Sequence, residues 1–305
     1  MTIQRSPNRP AELRQVSAAS DLSDAIAVLG KAPDGCLVCD TPNPKQLFLR
    51  FGKWHWQCGG CGLVFIHDIY PEFISDVEPE IILDEILNTA PRKKELLQWR
   101  ATLAEFEGYR SNNRLLDLGC AKGNFLKLIK EAGWQEHGVE TVPVLAKHCS
   151  ETLGLNAFSG DLISAAFPED HFDVIHMSEV IEHVINPVEL LTEVHRVLRP
   201  GGLAFFRTGN VKSWSARVRG PEWPYFRFSA GDHIRFYGPK STRALGETVG
   251  FAKSTTSTRG FAFREGGELK GHWYKLPVKL TQGPISILAG WCGAGHRLTM
   301  RFTKG

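Results

Sequence analysis

The chain has 305 residues, with 36 Lys+Arg against 33 Asp+Glu and a formal net charge of +3, so it carries no polyelectrolyte signal for nucleic acid or an anionic membrane. Its first thirty residues hold no apolar run of signal-peptide length, and no segment has 18 uninterrupted apolar residues, which sets the expectation of a cytoplasmic protein without a membrane span. In such a reducing compartment seven cysteines point to metal or packing roles before disulfides.

Length favours two units, a large core and an appendage. Residues 1–32 mix Pro, Arg and Ser before the amphipathic stretch SDLSDAIAVL, with Ser20 or Asp21 as its cap, and read as a mobile lead-in. Residues 33–68 form a small module. Its two Cys-x-x-Cys pairs, Cys36/Cys39 and Cys58/Cys61, are separated by 18 residues with strand-like alternation. Four thiolates at this spacing suit tetrahedral Zn²⁺, and a site with four protein ligands is structural rather than catalytic. The competing reading is four unrelated buried cysteines, and the glycines of CGGCG weaken it by favouring the turn geometry. Residues 69–110 lean helical, with ELLQWRATLAEFEGY giving helical spacing, and link the module to the C-terminal two thirds of the chain.

From 111 to 305 strands and helices alternate. RLLDLG is a predicted strand, GNFLKLIKEAG a helix ending at Gly133, and QEHGVE a strand ending in Glu140. VPVLAKHCSETLG is a predicted helix, NAFSGDL and FDVIHMS strands, PVELLTEVHRVLRPGG a helix stopped by Pro200-Gly201-Gly202, and LAFFRTGN a fifth strand. GPKSTRALGETVGF adds a helix leading to a strand, and HRLTMRFTK a last strand. The alternation predicts an α/β fold, a doubly wound, mostly parallel Rossmann-like sheet that binds ligands at the carboxyl ends of its strands. KLPVKLTQGPISILAGW is apolar but interrupted by Lys, Gly and Pro, and reads as a lid or dimer contact rather than a membrane span.

In LLDLGCAKGNF the first strand delivers Asp117 and Gly119, and a turn opens a helix near Gly123. Missing side chains let backbone approach a ligand, and the helix start offers free N–H groups. The loop is not G-x-G-x-x-G, so it does not predict a nicotinamide enzyme. Glu140, at the end of the second strand, can accept hydrogen bonds from both ribose hydroxyls, and Asp161 after the third can read an adenine amino group. Either acid alone would also suit a solvated strand end. If EVIEHV starts a helix, Glu179, Glu182 and His183 share one face. That trio suits a solvated helix cap, a proton-transfer site or a metal site.

LLDLGCAKGNF, GVE, SGDL, FDVIHMSEVIEHVINPVELLTEVHRVLRPGG and DHIRFYGPKSTRALGETVGF, in this order, resemble class I S-adenosylmethionine (SAM)-dependent methyltransferases of the group that includes ubiquinone-biosynthesis O-methyltransferases. The resemblance covers about 110–265. The knuckles followed by GLVF resemble the N-terminal zinc-binding segment of bacterial sugar and natural-product methyltransferases. Ala121 departs from the family, which usually has Gly there. The resemblance implies that Asp117, Gly119, Cys120 and Gly123 surround the methionine part of SAM and that Glu140 holds its ribose. It also implies that Asp161 and Leu162 flank the adenine, with Met177 and Ser178 under the sulfonium. Methyl transfer is an in-line displacement that needs no covalent enzyme intermediate, so Cys120 and Cys149 are read as packing residues, not nucleophiles.

The Glu-x-x-Glu-His stretch is similar to that of small-RNA 2′-O-methyltransferases. This implies Glu179, Glu182 and His183, with His233 as fourth ligand, around Mg²⁺ or another divalent cation acting as Lewis acid. Without metal, His183 is a general base oriented by Glu179 or Glu182; a third reading has Glu182 and His183 only cap and pack the loop. The aromatic and Arg-rich insertion at about 211–238 would roof the acceptor pocket. The function expected is O-methylation of a saccharide, natural-product or other small hydroxyl acceptor. Three alternatives accompany it: C-methylation of a nucleotide-linked keto sugar, RNA 2′-O-methylation, which the near-neutral charge opposes, and a binding protein that keeps the fold without catalysis.

Overall fold

The computed structural model describes residues 32–67, 87, 89–226, 233–260 and 284–305. The expected lead-in, much of the linker, part of the roof insertion and most of the KLPVKL segment lie outside the described residues. In chain order the strands are β1 (Lys45–Arg50), β2 (Lys53–Gln57), β3 (Val64–Ile66), β4 (Arg114–Leu118), β5 (Gln135–Glu140), β6 (Ala157–Ser159), β7 (Phe172–Ser178), β8 (Leu198–Gly209), β9 (Arg235–Phe236), β10 (Lys253–Arg259) and β11 (Arg297–Thr303). The helices are α1 (Lys93–Phe106), α2 (Asn124–Glu131), α3 (Pro143–Lys147), α4 (Pro187–Val197), α5 (Trp214–Arg219) and α6 (Pro239–Val249), followed by helical residues 284–291.

Seven strands form one sheet in the order β10-β11-β8-β7-β4-β5-β6. The pairs joining β6, β5, β4, β7 and β8 are parallel, and β11 runs antiparallel to both neighbours. The sheet is the doubly wound one that the sequence predicts, and strand order reverses at β4, where ligands of such sheets bind. β7 is buried at every position but its last, as a central parallel strand covered on both faces must be.

Local chemistry moves several predicted boundaries. The fourth helix ends at Val197, three residues before Pro200, because proline disfavours helix in the residue preceding it. Leu198 instead begins β8 opposite Phe172. The helix expected over VPVLAKHCSETLG is α3 followed by a π-helical turn at His148–Thr152, and NAFSGDL contributes a strand only at Ala157–Ser159. EVIEHV does not begin a helix. Glu179 lies in the left-handed region at φ 55°, and its N–H still bonds to the Arg207 carbonyl at 2.9 Å. A single 3₁₀ turn follows at Ile181–His183. Helix begins only at α4, where Asn186 accepts the Glu189 N–H and Pro187 takes the first helical position.

The smaller sheet is antiparallel, in the order β1-β2-β3-β9. Its last strand comes from far along the chain, with Val64 opposite Phe236 and Phe65 opposite Arg235. Cys36, Cys58 and Cys61 share one continuous core with Leu63, Phe65, Leu116, Met177 and Phe206, so both sheets bury the same apolar mass. Fully burying Leu63 or Phe65 contributes about 1.5–3 kcal/mol each. Thr248 in α6 also donates to the Val38 carbonyl at 2.7 Å.

Arg235 fixes this junction. Buried at 2% exposure, it donates to the main-chain oxygens of Ile66 (2.6 Å), Ile234 (3.0 Å) and Ile185 (2.7 Å). Arg235→Met keeps the volume and removes the donors, and among the described residues only the Ile234 carbonyl of the three keeps another partner, the Ile66 N–H at 3.0 Å. The variant is predicted to lose about 3 kcal/mol of stability in urea denaturation, and a loss below about 1 kcal/mol would mean that these bonds do not hold the junction.

Candidate active site

The carboxyl ends of β4 and β5 form a backbone cradle. Gly119 and Gly123 both have φ near +80°, which glycine alone adopts without strain. Each is also crowded. A Cβ on Gly119 would stand 2.4 Å from Val180 Cγ2, and one on Gly123 would stand 2.9 Å from Cys149 Sγ. Between them Ala121 takes φ 47°, and its N–H donates to Glu140 Oε2 at 2.8 Å. Glu140 Oε1 accepts the Val142 N–H at 2.9 Å. The carboxylate is thus fixed by one backbone bond per oxygen, and each oxygen keeps acceptor capacity for a ribose hydroxyl. This cradle fits a nucleoside with a short charged tail.

Other residues that the sequence assigned to the cofactor occupy varied settings. Asp117 is buried and bonds through Oδ1 to His176 Nδ1 at 2.7 Å. Cys120 is buried beside Cys149, whose thiol donates to the Ala121 carbonyl at 3.2 Å. Asp161 is exposed and accepts the Ser164 N–H at 2.7 Å, closing its own turn. Leu162 and Met177 are buried in the main core, and Ser178 ends β7 half-buried.

The second cluster lies beyond β7. The Ile234 N–H donates to the Glu182 carbonyl at 2.8 Å, which brings the 3₁₀ turn beside β9. The His183 and His233 rings come to 4.9 Å between centroids, and His233 Nε2 lies 4.0 Å from Glu182 Oε1. One ligand atom from each of Glu182, His183 and His233 falls within 4.8 Å of the others. Glu179 stands outside this trio and joins it through Tyr225, whose hydroxyl meets Glu179 Oε2 at 2.8 Å and Glu182 Oε1 more closely still.

Protons are scarce in this cluster. Tyr225 has one O–H proton for two carboxyls, so a proton held by one of them would make both contacts hydrogen bonds. Burial and then the Glu179 charge push the Glu182 carboxyl up to about 8, which selects Glu182 as that acid near neutral pH. Its Oε2 is buried without a partner among the described residues. Burial also lowers His233 below the ordinary histidine value. Its Nδ1 donates to the Tyr225 carbonyl at 2.9 Å, so the neutral ring keeps its Nε2 lone pair facing Glu182. The imidazole lone pair and the carboxyl, 4.0 Å apart, suit a proton or a metal ion shared between them.

The four cysteines come together in the module. Cys36 and Cys61 Sγ are 3.6 Å apart, Cys39 and Cys58 Sγ 3.5 Å, and all four sulfurs lie within 4.8 Å of one another. A tetrahedral zinc with bonds of about 2.3 Å needs sulfurs about 3.8 Å apart, so the cluster fits that ion. The Val38 N–H points to Cys36 Sγ at 3.5 Å and the Cys61 N–H to Cys58 Sγ at 3.3 Å, which favours thiolates.

Sequence reasoning missed His176, Tyr225 and Arg235. A histidine inside the apolar run FDVIHMS was a visible signal. Tyr225 had none, because its carboxylate partners lie more than forty residues away in sequence.

Fold, cradle and strand order together define a class I SAM-dependent methyltransferase. Residues 89–255 match the family described as methyltransferase domain, and since the match spans more than half of the chain, the protein belongs to that family. A ubiquinone biosynthesis O-methyltransferase of Cereibacter sphaeroides is 31% identical over 137 residues, 42% of this chain and 53% of that protein. One of the same name from Burkholderia multivorans is 28% identical over 167 residues, 51% of this chain and 69% of that protein. The chain thus spans about half the length of the first of these relatives. A SAM-dependent methyltransferase from Archaeoglobus fulgidus, 21% identical, superposes with a TM-score of 0.52 over 73% of this chain and 99% of its own, and shares the fold. Among the described residues no helix is long and apolar enough to cross a membrane.

The buried acid makes stability depend on pH. Below its ordinary value of 4.5 the Glu182 carboxyl is neutral in both states. Between there and about 8 the folded protein keeps a proton that the unfolded chain releases, so stability falls as pH rises and levels off above. Glu182→Gln abolishes this titration. The advantage of wild type over the variant is predicted to shrink between about pH 5 and pH 8 by up to roughly 1.4 kcal/mol per pH unit, measured by urea titration in buffer without added divalent cations. A constant difference would mean an ordinary Glu182.

Proposed function

We propose that this chain transfers the methyl group of SAM to an oxygen of a small hydroxyl-bearing acceptor, a saccharide or natural product in kind. The observation that carries this reading is the Glu182–His183–His233 cluster, with Glu182 buried and both histidines half-buried, one strand over from the Gly119–Gly123–Glu140 cradle. SAM, when bound, supplies an electrophilic methyl on its sulfonium. Gly119 and Gly123 admit its amino-acid end to the backbone, and Glu140 accepts the ribose hydroxyls. The acceptor hydroxyl must lose its proton as the bond forms, and His233 Nε2, with His183 beside it, is a lone-pair base for that proton. Tyr225 and Glu179 hold Glu182 and set the charge that the resulting imidazolium meets. The names of the relatives, O-methyltransferases, support oxygen as the acceptor atom.

The unpartnered Glu182 Oε2 favours a second reading, in which Glu182, His183 and His233 hold a divalent cation that lowers the acceptor hydroxyl pKa. Zn²⁺ in the four-cysteine cluster belongs to both readings, with all four positions taken by protein and hence a structural role. The methyltransferase unit and the zinc module are then parts of one folded body, with the roof insertion over the acceptor.

Calorimetry on the zinc-loaded protein is expected to show SAM binding that weakens at least tenfold in Glu140→Ala; folded protein that does not bind SAM would overturn the enzyme reading. Metal analysis is expected to give about one zinc per chain, lost together with cooperative unfolding in Cys58→Ser. A second divalent equivalent that disappears in His233→Ala would decide for the metal reading. Transfer that survives His233→Ala with the zinc retained would exclude both roles of His233.

A further inference from the structure

A cavity of about 310 Å³ opens on the face of the large sheet that α1 partly covers. Arg207 on β8, Arg297 and Arg301 on β11 and Arg259 on β10 line it. One carboxylate, Glu105 of α1, joins them, and it is taken by Arg301 at 2.5 and 3.0 Å. Glu95, a carboxylate that feels the charge of Arg297, is bonded to Arg92. Arg207 has a hydroxyl partner, Thr102 Oγ1 at 2.5 Å. Among the described residues Arg207, Arg259 and Arg297 thus face one space with no carboxylate in direct ion-pair contact, since Glu105, whose charge Arg207 and Arg259 feel from further off, is engaged by Arg301.

The sheet register makes this costly. Arg259 stands directly opposite Arg297 across β10 and β11, and like charges so placed destabilise a strand pair. Arg207, one strand away on the same face, is held down to about 10 by burial and then by the charges of Arg297 and Arg301. A guanidinium fork matches phosphate oxygens two at a time, and three of them suit a multiply charged anion better than a single carboxylate.

Position links this space to the reacting centre. Arg297 also lines a small cavity of about 50 Å³ with Glu179, Thr208, Gly209, Tyr225 and His296. Its register partner Gly209 donates its N–H to the Tyr225 hydroxyl at 2.8 Å. An anion gripped by Arg297 thus lies one strand from the cluster that carries the acid and base groups.

The geometry points to an acceptor that bears a phosphate or diphosphate, gripped by Arg207, Arg259 and Arg297 while its hydroxyl turns toward the Tyr225–Glu182–His233 side; this rests on the methyltransferase reading above. The same anion chemistry could come from free pyrophosphate, which the test separates.

Inorganic pyrophosphate and SAM are titrated by calorimetry into the zinc-loaded full chain at low ionic strength, for wild type, Arg259→Ala and Arg297→Ala. Both side chains are exposed, so their truncation spares the core. Pyrophosphate affinity is expected to fall at least tenfold in each variant with SAM affinity unchanged. Labelled-SAM transfer to sugar 1-phosphates and nucleoside diphosphate sugars, each beside its dephosphorylated sugar, is expected to favour the phosphorylated member at least hundredfold and to lose that preference in Arg297→Ala. Equal pyrophosphate affinity in all three proteins overturns the site. Equal transfer to a neutral sugar overturns the acceptor assignment in favour of a free anion. Wild type that fails to bind SAM overturns the methyltransferase reading instead.

Discussion

Arg235 sits buried where the two sheets meet, and its three bonds to main-chain oxygens tie the end of β3, the start of β9 and the segment after the 3₁₀ turn into one knot. Burial pulls its pKa down only to about 10, so it stays charged at neutral pH with carbonyl dipoles as its direct partners. The cysteine cluster supplies the missing counter-charge under the zinc assignment, since four thiolates around Zn²⁺ leave two net negative charges, and Cys36 is among the groups whose charge Arg235 feels. The placement of His183 and His233 depends on this knot. One lies two residues before Ile185 and the other two residues before Arg235.

The fold was legible because its signals are periodic and local. Apolar runs of strand length alternating with amphipathic helices define a doubly wound sheet, and glycines at a strand end mark the cradle. The four cysteines were legible for the same reason, being two tight turns at a readable spacing. Boundaries failed where tertiary pairing competed with local propensity: Leu198 joined a strand because Phe172 offered a partner, and Glu179 gave up helix to continue the ladder with Arg207. Glu182, His183 and His233 could be singled out by residue type, but not their common approach, which is set by the pairing of β3 with β9 across most of the chain. Tyr225 and the arginine wall were invisible for a related reason, since each becomes a site only when β8, β10 and β11 are laid side by side.

Proton counting ties the polar interior together. One phenol proton lies between two carboxyls, and burial together with the neighbouring Glu179 charge makes Glu182 the one that favours its acid form. Burial likewise favours the neutral ring of His233. A carboxyl with a raised pKa and an imidazole with a lowered one thus stand together, each set by its surroundings rather than by residue type. At the cradle Glu140 plays a comparable part, because by holding the Ala121 N–H it keeps a non-glycine residue in the left-handed conformation that the loop needs.

The late origin of β9 also bears on how the chain is made. β3 is synthesised with Val64, Phe65 and Ile66 ready to pair, yet its partner Arg235–Phe236 comes roughly 170 residues later. At about 5–20 residues per second, that apolar strand edge waits on the order of ten to thirty seconds on the ribosome. An unpaired edge of this kind is a template for pairing with other chains. The nascent protein therefore has a period in which that edge is open to other chains and in which shielding by a chaperone would favour the fold.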